Sequence, residues 1–208
     1  MQSLGWFHTI DLGDGLVTPG SEDVEFEEWR KEAIPKDLRD KTVLDVGAND
    51  GLYSFTCEER GAIRILAVES FQDTRCRETF PLAQRLRHSK VELKEMDVCD
   101  VDRLGEKFDV VLFMEVYYHI EQPLLAFQKL RHVTKELLMI EGYYFEDPRP
   151  VMYLFEPYEL SPRDASNVWG ASIECLKRMC KRAGFADVTV HSRKASRAIL
   201  FARPNRAH

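Results

Sequence analysis

The chain has 208 residues, of which 44% are hydrophobic, and its formal net charge is −6. This length and apolar content are sufficient for a buried core, and one domain is the expected organisation. The negative charge provides no general attraction to nucleic acid, and the apolar runs are too short to cross a bilayer. Because residues 1–14 also lack a basic stretch followed by an apolar one, we expect a cytoplasmic protein.

Residues 6–20 form the first segment with a structural signal. They combine aromatic residues and a histidine with the sequence Leu12-Gly13-Asp14-Gly15. Glycine and aspartate in such a run are typical of tight turns. We therefore predict an ordered lid or a short hairpin at this end of the chain.

Strand-like and helix-like segments then alternate along the sequence. Strands are predicted at residues 42–46, 63–68, 91–96, 108–114, 137–141, 187–191 and 198–202. Helices are predicted at residues 51–60, 73–87, 122–133 and 172–183. Asp73 or Thr74 is the expected cap of the second helix, and Gly184 closes the last one. Residues 143–169 are predicted as a Pro-rich loop, and residues 192–197 as a turn.

These elements predict one fold class. Near-continuous apolar strands that alternate with helices indicate a mostly parallel sheet covered on both faces. The last two strands are joined by a short connection, so they must pair as a hairpin. The prediction is an α/β fold with a doubly wound, mostly parallel, seven-stranded sheet and a C-terminal antiparallel hairpin strand.

The sequence DVGANDG follows the first strand and opens a helix, which places backbone N–H groups beside a ligand. A dinucleotide site favours G-x-G-x-x-G, whereas only Gly47 and Gly51 are present. Asn49 is one of the few other residue types that tolerate a positive φ, so the turn can form. The carboxylates of Asp45 and Asp50 would repel a pyrophosphate and attract a sulfonium or an ammonium. S-adenosylmethionine (SAM) carries both cations. The cofactor contacts predicted in this turn are Asp45, Gly47, Ala48, Asn49 and Gly51.

Residues at the ends of the next strands support the same cofactor. Glu69 ends the second strand, where its carboxylate could accept hydrogen bonds from both ribose hydroxyls, although this would suit NAD equally well. Asp97 follows the third strand and could accept from the adenine amino group. Met114 ends the fourth strand and would line the adenosyl and methionine portions. A solvated loop carboxylate is the simpler explanation for Glu69 or Asp97 alone, but the ordered set favours one nucleotide site. The other cofactor contacts predicted are Ser70, Phe71, Val98 and Tyr118.

The ordered motifs DVGANDG, AVES, KEMDVCD, FDVVLFMEVYYHI and LLMIEGYY resemble those of the class I, seven-stranded SAM-dependent methyltransferases. Asn49 stands where this family usually has its second glycine. The segments WFHTIDLGDGLVTPG, EVYYHIEQPLLAFQKL and NVWGASIECLKRMCKRAGF are similar to the branch of the tRNA wobble-uridine carboxymethyltransferase and its small-molecule methyltransferase relatives. The resemblance implies a Rossmann-like methyltransferase fold in a single domain, 1–208. It implies a SAM-binding core at 40–203, a lid at 1–35, an acceptor-pocket insertion at 143–170, and S-adenosylhomocysteine (SAH) as the product.

The resemblance leaves the acceptor open. The tRNA enzyme carries a long basic N-terminal extension, whereas this chain begins near the W-x-H segment and is acidic. These differences favour ordinary SAM and a small-molecule acceptor methylated at oxygen, with no nucleic acid or membrane as partner. The alternatives are a tRNA wobble-uridine (carboxy)methyltransferase and a non-catalytic SAM-binding protein. No clustered Asp/His pattern suggests a metal site, and a homodimer is left open as the assembly.

Methyl transfer to a hydroxyl requires alignment of the nucleophile and a base that takes its proton. His119, after the fourth strand, is the leading candidate because the ordinary pKa of histidine lies near neutrality. A structural histidine at a helix start is the alternative. Glu141, which ends the fifth strand, is a second candidate, unless it pairs with an arginine such as Arg149. His8 is a third candidate if residues 6–20 fold over the cofactor.

Two segments are predicted to contact the acceptor. Trp6 and Phe7 would shield the sulfonium, although an edge hairpin with Trp6 in the core is the alternative reading. Residues 143–169 are rich in proline and aromatic residues, which suits a planar or partly apolar acceptor, whereas ordinary packing under a long loop is the simpler account. The substrate contacts predicted here are Tyr143, Tyr144 and Trp169.

Overall fold

The computed structural model describes residues 4–72 and 74–205, and the chain divides into two compact units, Met1–Val98 and Cys99–His208. Within the described residues, no helix has both the length and the apolar character that spanning a membrane requires.

The first unit begins with the predicted short hairpin. Asp11 and Val17 form an antiparallel bridge, and the Leu12 amide donates to the Leu16 carbonyl at 2.8 Å. The tip, residues 13–15, has positive φ throughout, which is why two of its three residues are glycine. A helix that the sequence did not predict follows, α1 (Val24–Ala33), and the side chain of Asp23 caps it by accepting from the Glu25 amide.

Three parallel strands form the sheet of the first unit, in the order β3, β2, β1. Its strands and helices are β1 (Thr42–Val46), α2 (Leu52–Glu59), β2 (Arg64–Glu69), α3 (Cys76–Leu86) and β3 (Glu92–Glu95). Each was predicted to within a few residues. Helix α3 begins after Arg75, so Thr74 is not its N-cap as proposed, and Asp73 lies outside the described residues. The apolar strands β1 and β2 are almost wholly buried.

A longer sheet organises the second unit. A 3₁₀ helix, Val98–Leu104, stands at the boundary between the units, and the elements beyond it are β4 (Phe108–Met114), α4 (Pro123–Val133), β5 (Thr134–Phe145), β6 (Met152–Leu154), β7 (Trp169–Ser172), α5 (Ile173–Ala183), β8 (Asp187–Lys194) and β9 (Arg197–Arg203). Strand β5 pairs in parallel with β4 and β7 and antiparallel with β9. Strands β8 and β9 pair antiparallel, which confirms the predicted C-terminal hairpin.

Two expectations about the second unit were wrong. The segment 143–169 is not one loop, because β5 runs to Phe145 and the short strands β6 and β7 pair antiparallel beside it. The turn predicted at residues 192–197 is confined to Ala195 and Ser196, because β8 and β9 continue pairing up to Lys194 and Arg197. Helix α5 agrees with the prediction, with Ser172 as its N-cap and Gly184 as a left-handed C-cap.

Candidate active site

The glycine turn of the first unit adopts the conformation predicted for it. Gly47, Asn49 and Gly51 have φ values of 75°, 49° and 98°, which confirms that Asn49 takes the positive φ of a usual glycine. Gly51 is the N-cap of α2, and an added Cβ there would lie 2.7 Å from the Phe55 ring and 2.9 Å from the Phe80 ring. The turn therefore needs glycine at this position for its conformation and its packing.

Glu69 lies against this turn, because β1 and β2 are paired up to Val46 and Val68. Its Oε2 accepts the Asn49 amide at 2.9 Å, and its Oε1 accepts the Phe71 amide at 3.2 Å. The carboxylate is half-buried, Oε1 also accepts the Ser70 hydroxyl at 3.4 Å, and Oε2 has a second lone pair. A carboxylate held in this way beside a glycine turn fits the ribose diol of an adenosyl group.

The other cofactor residues predicted in the first unit differ in burial. Ala48, Phe71 and Val98 are buried, Ser70 is half-buried and Asp97 is exposed. The Phe71 ring lies 4.6 Å from the Arg77 guanidinium. Asp97 follows β3, whose last residue Glu95 is the register partner of Glu69. Pairing of β2 with β3 therefore brings the two predicted carboxylates to the same end of this sheet.

Asp45 is placed differently from the exposed cation partner that the sequence suggested. Its side chain is 2% exposed, and its Oδ2 accepts the Ser54 hydroxyl at 2.7 Å. Burial raises the pKa of Asp45 to about 6, against the opposing effects of the Ser54 hydrogen bond and the His8 charge. The carboxyl group therefore supports the start of α2 from inside the unit.

Asp45→Asn should remove part of the pH dependence of stability. The pKa of Asp45 is higher in the folded chain, about 6 against 3.8, so its contribution is full below pH 3.8 and is lost as pH rises through 6. Over this window the wild type should lose on the order of 3 kcal/mol that the variant does not lose. Urea unfolding at a series of pH values measures the difference, and parallel curves would contradict it. Ser54→Ala should extend the upper limit of the window to higher pH, because it removes a hydrogen bond that lowers the folded-state pKa of Asp45.

Asp50 is also withdrawn from solvent, and it anchors the N-terminal segment. It is 0% exposed, and its Oδ2 accepts the amides of Phe7 and His8, each at 2.9 Å, while its Oδ1 pairs with His8 Nδ1. The expectation that Asp50 offers its charge to a cation at the turn was therefore wrong. Its carboxylate is held instead by the backbone and the ring of His8, which lies 42 residues earlier.

The N-terminal candidates are mostly interior groups. His8 is buried, and its ring lies 5.2 Å from the Tyr53 ring in an edge-to-face arrangement. Trp6 is 2% exposed, as the alternative reading of this segment expected, and Phe7 is half-buried. A histidine held by a buried carboxylate suits a structural role. Of these three side chains, Phe7 is the most accessible.

In the second unit, Arg197 on β9 joins Glu115 and Tyr118, which follow β4, and Glu141, which lies within β5 and not at its end as predicted. Its Nε and Nη2 donate to the two Glu141 oxygens at 2.8 and 3.0 Å, and Nη2 also donates to Glu115 at 3.0 Å. Its Nη1 donates to the Tyr118 hydroxyl at 2.9 Å. Burial raises the pKa of that hydroxyl above its ordinary value. Arg197 therefore forms ion pairs with two carboxylates in a largely enclosed site.

This arrangement changes the role of Glu141. Its side chain is fully buried and ion-paired with Arg197, whereas Arg149, the partner suggested from the sequence, pairs with Asp147. A carboxylate held by a guanidinium is a weak base, so Glu141 acts as a structural anion. Arg197 itself was not predicted, although an arginine at the start of the apolar run RAILFA was a signal for it.

His119 lies beside this cluster with a defined orientation. Its Nδ1 is 3.0 Å from the Ser166 hydroxyl and 3.2 Å from the Ser166 carbonyl oxygen, and its ring centroid is 4.1 Å from that of Tyr118. Burial lowers the pKa of His119, partly offset by the hydrogen bond to Ser166 and the charge of Asp164. The imidazole is therefore neutral near pH 7, as a proton acceptor must be. It is half-buried.

The predicted acceptor-binding aromatics separate onto two faces of β5, as successive residues of a strand do. The Tyr143 ring packs 5.8 Å from the Phe155 ring, next to Gly170, where an added Cβ would lie 3.0 Å from Phe155. Tyr144 instead donates its hydroxyl to Glu146 at 3.0 Å. Trp169 is half-buried, and its indole Nε1 is enclosed without a hydrogen-bond partner among the described residues.

Within the second unit, then, the structure brings Tyr118, His119 and Glu141 together and sets Tyr144 apart. Met114, at the end of β4, is buried. Among residues 4–72 and 74–205, no group of three or more His, Cys, Asp or Glu side chains could hold a metal ion. Ser166 and Asp164 were missed from the sequence, because Ser166 contacts His119 across 47 residues of chain, Asp164 binds the Ser166 hydroxyl, and neither follows a motif.

Comparison with known proteins identifies the family. A family model described as a methyltransferase domain matches residues 22–190. The tRNA U34 carboxymethyltransferase of Campylobacter jejuni subsp. jejuni is 27% identical over 178 residues, which cover 83% of this chain and 60% of the relative. The protein of the same name from Helicobacter acinonychis is 27% identical over 158 residues, 74% of this chain and 60% of the relative. The chain thus spans about 60% of the length of these curated relatives.

A solved structure supports the same assignment at the level of the fold. The N-terminal domain of EvdMO1, determined in the presence of SAH and D-fucose, superposes with a TM-score of 0.73 at 17% identity, over 98% of this chain and 94% of that chain. This likeness confirms the predicted α/β class, with a mostly parallel sheet and a C-terminal antiparallel hairpin. The chain belongs to the methyltransferase domain family.

Proposed function

We propose that this enzyme methylates a hydroxyl group of a small molecule and that His119 is the base. The observation that carries the proposal is the setting of His119: its Nδ1 is bound by Ser166 and its pKa is lowered by burial. SAM supplies a methyl group already activated on a sulfonium. Transfer of that methyl group would break its bond to sulfur and leave SAH, and the role of His119 Nε2 would be to take the proton of the acceptor hydroxyl.

The cofactor contacts are also proposals. Glu69 would accept hydrogen bonds from the ribose hydroxyls, and the turn at Gly47, Asn49 and Gly51 would leave room for the adenosyl group. Support comes from the positive φ values of the turn and from the two amides that orient the Glu69 carboxylate. Tyr143 and Trp169 are the proposed contacts for an apolar or planar part of the acceptor.

Glu69→Ala should weaken SAM binding by roughly 10 to 100-fold, because hydrogen bonds to a charged group would be lost. Isothermal titration calorimetry with SAM and with SAH measures the effect. Glu95→Ala is the matched control, because Glu95 is the register partner of Glu69 on β3 and pairs with Arg77 at the surface. Equal affinities for the two variants would argue against a ribose-binding role for Glu69.

The activity test is release of SAH, followed by mass spectrometry, with a panel of phenols, hydroxy acids and sugars. Methylation at oxygen of at least one member is the expected result. Transfer only to nitrogen, carbon or sulfur would overturn the assignment of the methylated atom. Binding of SAM with no transfer to any acceptor or tRNA would instead favour a non-catalytic SAM-binding protein.

A tRNA acceptor is the second candidate, because the curated relatives at 27% identity are tRNA U34 carboxymethyltransferases. The charge balance argues against it. The net charge is −6, and Arg77 in α3 and Arg87 at its C-terminus pair with Glu95 and Glu59. A tRNA enzyme would bind unmodified tRNA with an affinity that falls steeply with salt, and a gel-shift assay at two salt concentrations measures this.

The single domain, the cytoplasmic location and a homodimer remain predictions from the sequence.

A further inference from the structure

We propose that Ser166 and Asp164 are positioning residues that select which nitrogen of His119 receives the proton of the acceptor. The inference rests on the proposed function, because it concerns the base of that reaction. All the groups involved lie in the second unit, between β6 and β7 or directly after β4. Neither Ser166 nor Asp164 belongs to a sequence motif of the cofactor site.

The proton count fixes the direction of the hydrogen bonds. The Ser166 hydroxyl lies 2.5 Å from Asp164 Oδ1 and 3.0 Å from His119 Nδ1. A hydroxyl has one proton, and a carboxylate can only accept. Since Asp164 takes the hydroxyl proton, Ser166 Oγ must accept from His119. The Ser166 carbonyl oxygen, 3.2 Å from the same Nδ1, can also only accept.

Both partners of Nδ1 are therefore acceptors, so Nδ1 carries the hydrogen in the neutral ring. The lone pair is then on Nε2, the nitrogen on the opposite side of the imidazole. In water the other tautomer of histidine is the preferred one, so the surroundings must impose this arrangement. Contact with the Tyr118 ring, which is tilted by 44° with its centroid 4.1 Å away, limits the rotation of the imidazole, and Nε2 is left as the basic atom.

The contacts of Asp164 stabilise its charged form. It accepts the Ser166 amide at 2.9 Å and the Asn167 side-chain amide at 3.0 Å. Burial acts to raise the pKa of Asp164, but the hydrogen bonds from Ser166, the charge of His119 and the Asn167 amide together lower it. When Nε2 takes the acceptor proton, the ring becomes an imidazolium that still donates through Nδ1. The negative charge of Asp164 favours that product, whereas Arg197 opposes it.

The first test reads the tautomer directly and needs neither cofactor nor acceptor. Long-range proton–nitrogen spectra of protein with ¹⁵N-labelled histidine should show His119 as the Nδ1–H form, with the signals assigned by their loss in His119→Gln. Ser166→Ala and Asp164→Asn should shift His119 toward the Nε2–H form, because an acceptor for Nδ1–H is lost or becomes able to donate. An Nε2–H ring in the wild type would overturn the inference.

The matched control is Asp147→Asn. Asp147 accepts the Arg149 amide at 2.8 Å, as Asp164 accepts the amide two residues later, but its charge pairs with the Arg149 guanidinium. The control should leave the His119 signals unchanged. A shift as large as that of Asp164→Asn would show that the tautomer responds to loop structure in general, which would also overturn the inference.

The second test is the pH profile of kcat/KM. Asp164→Asn removes the carboxylate that raises the pKa of His119, so the rising limb of the profile should move to lower pH. The plateau should fall by roughly 10 to 100-fold, the effect of losing a hydrogen bond to a charged group. A limb that does not move would contradict the proposal. If the wild type methylates no hydroxyl, the proposed function fails, and the nitrogen spectra alone decide the positioning role.

Discussion

Arg197→Met is expected to lower the free energy of unfolding by about 3 to 5 kcal/mol, because removing one partner of a buried ion pair leaves its counter-charge desolvated. Glu141 is fully buried, and Glu115 is 14% exposed. Methionine fills much of the arginine volume, so the loss should come mainly from the uncompensated carboxylates and from the Tyr118 hydroxyl. Urea denaturation at neutral pH measures the change through the midpoint, provided that the m-value is unchanged.

Two further variants show whether the effect is electrostatic. Arg149→Met removes an arginine that is 75% exposed and pairs with Asp147, and no measurable change is expected there. Combining Arg197→Met with Glu141→Leu should recover part of the lost stability, because an apolar pair avoids the desolvation cost. A loss of less than about 1 kcal/mol for Arg197→Met, or a double variant no more stable than the single one, would show that solvent reaches the cluster.

Most of the helices and strands could be predicted from the sequence, because the residues that indicate each one lie within it or next to it. The strand 108–114 was predicted with the bounds of β4, since FDVVLFM is apolar except for Asp109 and is buried throughout. Helix α5 was bounded by a serine cap and a C-terminal glycine. Strands β6 and β7 were missed because three and four residues are too short for a periodic pattern. They exist because β5 extends far enough to pair with β7.

The features of the candidate site also divide into those that depend on local sequence and those that depend on distant residues. The turn conformation at Asn49 could be predicted, because tolerance of positive φ is a property of the residue type. The partner of each carboxylate could not be predicted. Asp50 pairs with His8, 42 residues earlier, and Glu141 pairs with Arg197, 56 residues later. A carboxylate near a ligand motif has the same sequence signature whether it faces the ligand or a distant basic side chain, so only the folded chain distinguishes the two cases.

His119→Asn should lower kcat for methyl transfer by about 10² to 10⁴-fold, the usual contribution of a general base. The substitution is chosen for its geometry. The side-chain amide of asparagine occupies nearly the position of the imidazole Nδ1–H, so it can still donate to Ser166, but it has no basic nitrogen in place of Nε2. SAM affinity, measured by calorimetry, should stay close to that of the wild type.

This variant separates the two explanations of His119. If the histidine only holds the segment after β4, the retained hydrogen bond should preserve both stability and turnover. If it is the base, stability should survive while turnover does not, and the dependence of kcat/KM on pH should change. In the wild type kcat/KM should rise as pH increases through the lowered pKa of His119, because only the neutral ring accepts a proton, and in the variant this limb should disappear. His132→Asn, on an exposed histidine of α4, should change neither the limb nor kcat. Retention of wild-type turnover by His119→Asn would leave alignment by the site as the main source of rate, with the proton passing directly to water.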